Sequence, residues 1–215
     1  MQGARGWKDR GMTPHSNEAT SAPAGARVDD TRAQADSCRQ LIRAWDDWRG
    51  DELLPRRSDI DLAGIKDLLP GLLLLEARAR DRFIFRLVGT LIDEALGVGV
   101  TGSNYLDFAR PELRELRAER MVRQLAWPCG ARMITRFVAV DGDALPLEVV
   151  ALPMRSDADD RPRLLIAAVG GLDAQMIRDV SSTAPLEGGA EVYEYFDIGA
   201  GVPQVPVRAE FLAPR

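Results

Sequence analysis

The sequence has very few of the residues on which metal, haem and disulfide sites depend. Its single histidine, His15, lies in an N-terminal segment rich in glycine, alanine and charged residues. Its two cysteines, Cys38 and Cys129, are far apart and show no paired spacing. A zinc or disulfide framework is therefore not expected, and a reducing cytoplasm fits this sparse use of cysteine. We expect no metal site, no haem and no catalytic histidine.

Long apolar runs and an excess of basic residues are also missing. The most apolar stretch, Leu68 to Leu75, is far shorter than the roughly 20 residues that a membrane-spanning helix needs and is broken by Pro70. The N-terminus lacks the apolar centre of a signal peptide. The net charge is −5, whereas nucleic-acid contacts need clustered basic residues. We expect a cytoplasmic protein with no nucleic-acid partner and no membrane partner.

Composition divides the chain into four parts. Residues 1–35 have no apolar periodicity and are predicted to be a disordered arm. Residues 36–50 form an N-terminal amphipathic helix, and residues 51–172 form the folded domain. Residues 173–215 are a tail rich in glycine and proline. An aromatic cluster in this tail, Tyr193 to Phe196, is either part of a disordered end or a short segment that orders on a partner or across the protein's own sheet.

The N-terminal helix has one apolar face. Ser37 followed by Gln40 predicts a capping box at its start, and Gly50 predicts its end. The apolar face can pack on the protein's own sheet or on a second copy of the chain, and the sequence favours neither. We predict a homodimer whose interface contains Leu41, Ile42, Trp45 and Trp48.

The remaining pattern predicts an α+β fold with a largely antiparallel sheet of five strands. Two strands come first, then short helices and one longer helix that begins at Pro111. Three strands follow, and the first two of them are joined by Asp141-Gly142-Asp143, a strong hairpin signal. The predicted strands are Leu72 to Ala77, Phe83 to Val88, Arg132 to Val140, Leu145 to Met154 and Leu164 to Val169.

This order of elements, together with several motifs, resembles a PAS domain. The motifs are Trp45-x-x-Trp48-Arg49-Gly50, Leu54-Pro55-x-Arg57-x-Asp59-Ile60-Asp61, Leu69-Pro70, Phe83-x-Phe85-Arg86-Leu87-x-Gly89-Thr90, Gly97-x-x-x-Thr101-Gly102, Leu147-Glu148 and Leu152-Pro153-Met154. The ordered set is similar to a divergent PAS family common in alphaproteobacteria, over about residues 37–172.

The resemblance implies a PAS-like sheet with helices on one face, preceded by the amphipathic helix. It implies sensing and signalling through regulatory protein partners, without agreed catalytic residues or a universal cofactor. The motif that surrounds a flavin-photosensing cysteine is absent, so we expect no flavin. If a small molecule binds, we expect its cavity to be lined by the central sheet and the loop 98–108. Candidate contacts are Phe85, Tyr105, Phe108 and Met133.

A glycine run, Gly97-x-Gly99-x-x-Gly102, formally matches a dinucleotide fingerprint. That fingerprint needs a strand directly before the glycines and a helix that opens at them. Here the predicted helix Thr90 to Leu96 comes before the run, and no clear helix start follows it. We therefore interpret Gly97 as a helix cap and expect no nucleotide binding.

Glu148 is a carboxylate that lies among apolar residues of a predicted strand. By alternation it faces solvent or forms a surface pair, which is the favoured interpretation because an unpaired buried carboxylate is costly. Otherwise it points inward and pairs with Arg132, Arg136 or Arg86. An alternative function follows if it is buried and unpaired: a small cone-shaped α+β enzyme or ligand carrier with Glu148 as base. A third possibility is a dimeric adaptor with a filled core.

Overall fold

The computed structural model describes residues 27–96, 99–138, 144–158, 160–172 and 189–203. Within them the chain forms three α-helices and six strands, connected by loops and short 3-10 helices. The elements are α1 (Asp36–Arg49), β1 (Leu72–Ala79), β2 (Arg82–Val88), α2 (Thr90–Leu96), α3 (Pro111–Ala126), β3 (Gly130–Val138), β4 (Ala144–Arg155), β5 (Pro162–Gly170) and β6 (Val192–Phe196).

The strands form one antiparallel sheet in the order β2-β1-β5-β4-β3-β6. The hairpins β1–β2 and β3–β4 lie on either side of β5, which pairs with both β1 and β4. The α+β class and the antiparallel sheet predicted from the sequence are confirmed. The predicted number of strands is wrong, because β6 adds a sixth strand on the outer edge of β3.

Each face of the sheet covers a separate apolar cluster, because side chains alternate along every strand. In β4, Val150 and Leu152 belong to the cluster under α1, whereas Ala151 belongs to the cluster under α2 and α3. The sheet is therefore sandwiched, with α1 on one face and α2 and α3 on the other.

Helix α1 packs directly on the sheet of its own chain. Trp45 has no exposed surface, and its Nε1–H donates a 2.9 Å hydrogen bond to the carbonyl oxygen of Pro153 in β4. Fully burying a large apolar side chain contributes about 1.5–3 kcal/mol. A close approach at the start of the helix needs a glycine on β5, because a Cβ on Gly170 would lie 2.2 Å from the Cβ of Ala35.

The predicted arm (residues 1–35) and the predicted tail (residues 173–215) each contain folded residues in the structure. The described chain begins at residue 27, with a 3-10 helix at Asp30–Arg32 and a buried Ala33, so part of the predicted arm is folded. Residues 1–26 of that arm lie outside the described residues, as do residues 173–188 and 204–215 of the predicted tail. The predicted hairpin turn at 141–143 also lies outside them.

In the described part of the chain, no helix combines the length and apolar character needed to cross a bilayer.

Candidate functional site

A cavity of about 110 Å³ lies between α3 and the face of the sheet that is turned away from α1. This volume is comparable to the roughly 150 Å³ cavity that accommodates a benzene ring. Aliphatic side chains from four strands form most of its wall. These are Leu73, Leu75, Val149, Ala151, Leu165, Ala167 and Val169, and Met133 also contributes from β3.

Gln124 of α3 is a polar side chain in this wall and is only 1% exposed. Its Nε2 donates to the carbonyl oxygens of Cys129, at 3.1 Å, and Ala151, at 2.8 Å. Two carbonyl acceptors need two N–H donors, which fixes the orientation of the amide. Both N–H donors of the Gln124 amide are therefore used within the protein.

Two arginine–tyrosine contacts form the polar side of the cavity. The Arg117 guanidinium lies 5.6 Å from the centre of the Tyr105 ring and donates a 3.3 Å hydrogen bond to its hydroxyl. The Arg120 guanidinium lies 4.1 Å from the centre of the Tyr193 ring. All four residues line the cavity. Burial raises the pKa of Tyr193 well above its ordinary value of 10, so this phenol is neutral at physiological pH.

The four residues predicted as ligand contacts are close together, but only two reach the cavity. Tyr105 and Met133 line it. Phe85 and Phe108 do not; they pack edge to face, with ring centres 5.8 Å apart. Phe85 also packs edge to face on Tyr105 at 5.9 Å. Phe85 therefore supports the ring of Tyr105, and Phe108 packs on Phe85 within the apolar cluster under α2 and α3.

Sequence reasoning missed the contributions of α3 and β6 to the site. Arg117, Arg120 and Gln124 lie on a helix whose pattern indicated only an apolar face. Tyr193 lies on β6, which the sequence assigned to the tail. Its aromatic alternation was the one available signal, since Tyr193 and Tyr195 face α3 together, and the Tyr195 hydroxyl donates to the Arg120 carbonyl oxygen at 3.0 Å. The segment thus orders across the protein's own sheet.

Glu148 lies on the opposite face of the sheet and joins β4 to the start of α1. Its side chain is buried and accepts backbone hydrogen bonds from Gln34, at 2.9 and 3.1 Å, and Ala35, at 2.6 Å. Its Oε1 pairs at 2.5 Å with Arg132, which also contacts Glu194 at 3.0 Å. The N-cap residue Ala35 has no side-chain cap, so a carboxylate from a distant strand occupies the positive end of the helix.

These contacts correct two predictions. The capping box of Ser37 and Gln40 is wrong, because the helix begins after Ala35 and Glu148 takes the place of a local cap. The favoured placement of Glu148 toward solvent is also wrong, and the structure realises the inward pairing with Arg132. A buried, unpaired Glu148 that faces the cavity was the condition for the enzymatic alternative, and the observed geometry does not meet it.

The apolar face of α1 is covered by its own sheet, which is one of the two alternatives that the sequence left open. Leu41, Ile42 and Trp45 are buried in the cluster beneath the helix, and Trp48 packs at its margin. Leu41, Ile42 and Trp45 are therefore not available to a second copy of the chain, because β4 and β5 already cover them. The homodimer remains a prediction, and these three residues do not provide its surface.

The two thiols are buried. Burial, followed by the charge of Glu148, raises the pKa of Cys38 to about 12. Burial, followed by the charge of Asp197, raises the pKa of Cys129 to about 12. Since the thiolate is the reactive form, both cysteines are poor nucleophiles at neutral pH.

The glycine run has the context of a loop. Helix α2 precedes it, as expected, while Gly97 and its predicted cap lie outside the described residues. Gly102 has φ of +93°, and its N–H donates to the Phe85 carbonyl oxygen at 2.9 Å. The 3-10 helix Tyr105–Phe108 follows, started by the Asn104 side chain. The described glycines of the run, Gly99 and Gly102, therefore belong to a loop that contacts β2, and no α-helix opens at them.

Several solved structures resemble this chain at low sequence identity. The LOV domain of the blue-light photoreceptor Aureochrome1 in its light state is 9% identical, with a TM-score of 0.36, covering 54% of this chain and 92% of that one. The PAS-B domain of Drosophila melanogaster Cycle with bound glycerol is 14% identical, with a TM-score of 0.31, covering 46% and 97%. VqmA bound to DPO is 13% identical, with a TM-score of 0.36, covering 53% and 57%.

A comparison with curated proteins gave no match. A sequence model described as a PAS domain matches residues 33–168, from the segment before α1 to Ala168 near the end of β5. The matched region is more than half of the chain, and it contains α1, β1 to β4 and most of β5. The protein therefore belongs to the PAS domain family.

Proposed function

We propose that this protein is a sensory or regulatory module that binds a small molecule in the cavity under α3 and signals to a protein partner. The cavity carries the proposal, because it combines an apolar wall with a few polar groups on one side, as ligand sites commonly do. Membership of the PAS family supports a sensory role. Its output is a shift between packed arrangements of the domain.

Strand β4 offers a route from the cavity to the opposite face. Val149 and Ala151 line the cavity, while the neighbouring Glu148 holds the backbone of Ala35 at the start of α1. A ligand that displaces β4 therefore also changes the contact between Glu148 and Ala35. We propose that α1 and the segment before it present this change to the partner.

The other two functions considered have less support. Catalysis by Glu148 required an unpaired carboxylate at the cavity, but this side chain is paired with Arg132 on the other face. A purely structural adaptor required a filled core, and the cavity of about 110 Å³ between α3 and the sheet supports a ligand-binding module instead.

Ligand-observed NMR with a library of one-ring compounds, both neutral and charged, tests the binding step. Ala167 lies in the cavity wall, and Ala167→Leu is expected to fill part of the space and weaken binding at least tenfold. Ala79 is exposed at the end of β1, so Ala79→Leu adds the same atoms elsewhere and should bind normally. If no compound binds, or if both variants bind equally, the proposal is wrong.

Hydrogen exchange tests the output step. A compound that binds the cavity is expected to change exchange at the amides of Gln34 and Ala35, which donate to Glu148. The amides of the 3-10 helix Arg57–Asp59, whose residues are exposed and do not line the cavity, serve as the reference. Unchanged exchange at Gln34 and Ala35 in a ligand-saturated sample would contradict the route through β4.

A further inference from the structure

The polar groups of the cavity are concentrated on α3. Arg117 and Arg120 are three residues apart, so their side chains lie on one face of the helix, and both line the cavity. Neither is without partners: one guanidinium contacts Tyr105 and the other contacts Tyr193. These contacts help to orient the guanidiniums in the cavity wall, so an incoming group meets donors that are already positioned.

The rest of the wall offers little to a cation. Among the described lining residues there is no Asp or Glu. Gln124 uses both N–H donors of its amide on backbone carbonyls, so it can offer a ligand only one neutral acceptor. The opposite wall is aliphatic. The site therefore suits a molecule with an apolar body and a charged acceptor group directed at α3.

We infer that the ligand is a small carboxylate with an apolar body of about one ring, whose carboxylate binds the guanidiniums of Arg117 and Arg120. This inference rests on the proposed function, because it names the chemical class that the same cavity takes. A guanidinium carries five N–H donors in a planar fork that matches a carboxylate. A bound carboxylate adds to or replaces the present hydrogen bonds of these arginines, while the ring enters the aliphatic part of the cavity.

Three probes of similar shape separate charge from fit: benzoate, benzyl alcohol and benzylamine. Calorimetric titration or chemical-shift mapping with the full chain gives the affinity of each. Charge-assisted hydrogen bonds are expected to make benzoate bind at least about tenfold more tightly than benzyl alcohol. Benzylamine should bind most weakly, because its ammonium meets two guanidiniums. Raising the salt concentration should weaken benzoate and leave benzyl alcohol nearly unchanged.

Arginine variants test which side chains bind the carboxylate of benzoate. Arg117→Gln and Arg120→Gln should each weaken benzoate by about tenfold while binding of benzyl alcohol is retained. Arg57→Gln is the matched control, since Arg57 is exposed in a 3-10 helix and does not line the cavity. If an arginine variant does not fold, the preference for benzoate and its salt dependence in the unaltered protein still decide the question.

The outcomes separate this inference from the proposed function. If benzyl alcohol or benzylamine binds as tightly as benzoate, or if both arginine variants keep full benzoate affinity, the cavity binds ligands but the carboxylate assignment is wrong. If none of the probes and none of the one-ring compounds binds, both statements fail.

Discussion

The Oε2 atom of Glu148 accepts a 2.6 Å hydrogen bond from the backbone N–H of Ala35, although 113 residues separate the two in the chain. This contact fixes the start of α1 on β4. It also places a negative charge at the positive end of the helix, where the macrodipole favours it. The same carboxylate neutralises Arg132, so one side chain satisfies a helix terminus and a buried cation.

Glu148→Ala is expected to lower the free energy of unfolding by roughly 3 kcal/mol, because it leaves the buried Arg132 with only the more exposed Glu194 as an ion-pair partner. It also removes the acceptor of the backbone N–H groups of Gln34 and Ala35. Urea denaturation measures the change. Glu194→Ala is the control, since Glu194 contacts the same arginine but its side chain is 42% exposed; we expect a loss below about 1 kcal/mol. Equal losses in the two variants would show that Glu148 has no special structural role.

Trp45→Phe should cost roughly 2 kcal/mol of stability, because it leaves the Pro153 carbonyl oxygen without its donor and opens a void under α1. Since the ring packs within its own chain, the loss should be independent of protein concentration. Trp127→Phe, at a position that is 52% exposed, should cost much less. A loss that grows on dilution would instead place Trp45 in a contact between two copies.

Stability should fall as the pH rises above about 9. Burial raises the pKa of Cys38 and Cys129 to about 12 from an ordinary value of 9, so the folded state holds these protons more tightly than the unfolded state. Their contribution is complete below pH 9 and is lost as pH rises toward 12, at about 1.4 kcal/mol per pH unit for each thiol.

Denaturation in urea at pH 7, 9 and 10, under reducing conditions, measures this slope. The interval from pH 9 to 10 reports chiefly on the thiols. Burial also raises the pKa values of Tyr193 and Tyr195 above their ordinary value of 10, so the tyrosines lower the stability only above about pH 10. Cys129→Ala should remove about half of the slope. An unaltered slope in that variant would show that its thiol does not contribute.

Gly170→Ala should destabilise the protein by about 1–3 kcal/mol, because the added Cβ overlaps the start of α1 and forces the backbone to shift. Gly99→Ala provides the comparison, since nothing lies within 4 Å of a Cβ added there, and its effect should stay within about 0.5 kcal/mol. Thermal unfolding of both variants gives the answer. A neutral Gly170→Ala would mean that α1 is not held closely against β5.

The sequence predicted the elements whose signals are local. Alternation, a hairpin dipeptide and a proline at a helix start are sufficient for β1 to β5 and for α3, because each pattern spans fewer than 20 residues. Strand β6 is different. Its five residues are flanked by glycine- and proline-rich segments, which predict no strand. They form a strand because they pair with β3, where Tyr193 lies opposite Met133.

The site was predictable only in part for the same reason. Tyr105 and Met133 could be chosen because the predicted fold places the loop 98–108 near one face of the sheet. The roles of Gln124 and Glu148 depend on partners that are 27 and 113 residues away, Ala151 and Ala35. A single sequence predicts that such polar side chains are exposed, because burial without a hydrogen-bond partner is costly. In the structure, both side chains are buried and form hydrogen bonds with backbone groups that are distant in the sequence.

The family match ends at residue 168, yet Tyr193 of β6 forms part of the cavity wall. One side of the compartment that we propose binds a ligand therefore belongs to a segment outside the matched domain. Exchange of Tyr193 or Ala190 would reshape the compartment without altering any matched residue. Under the proposed function, two proteins that share residues equivalent to 33–168 could therefore differ in ligand preference through the strand that follows.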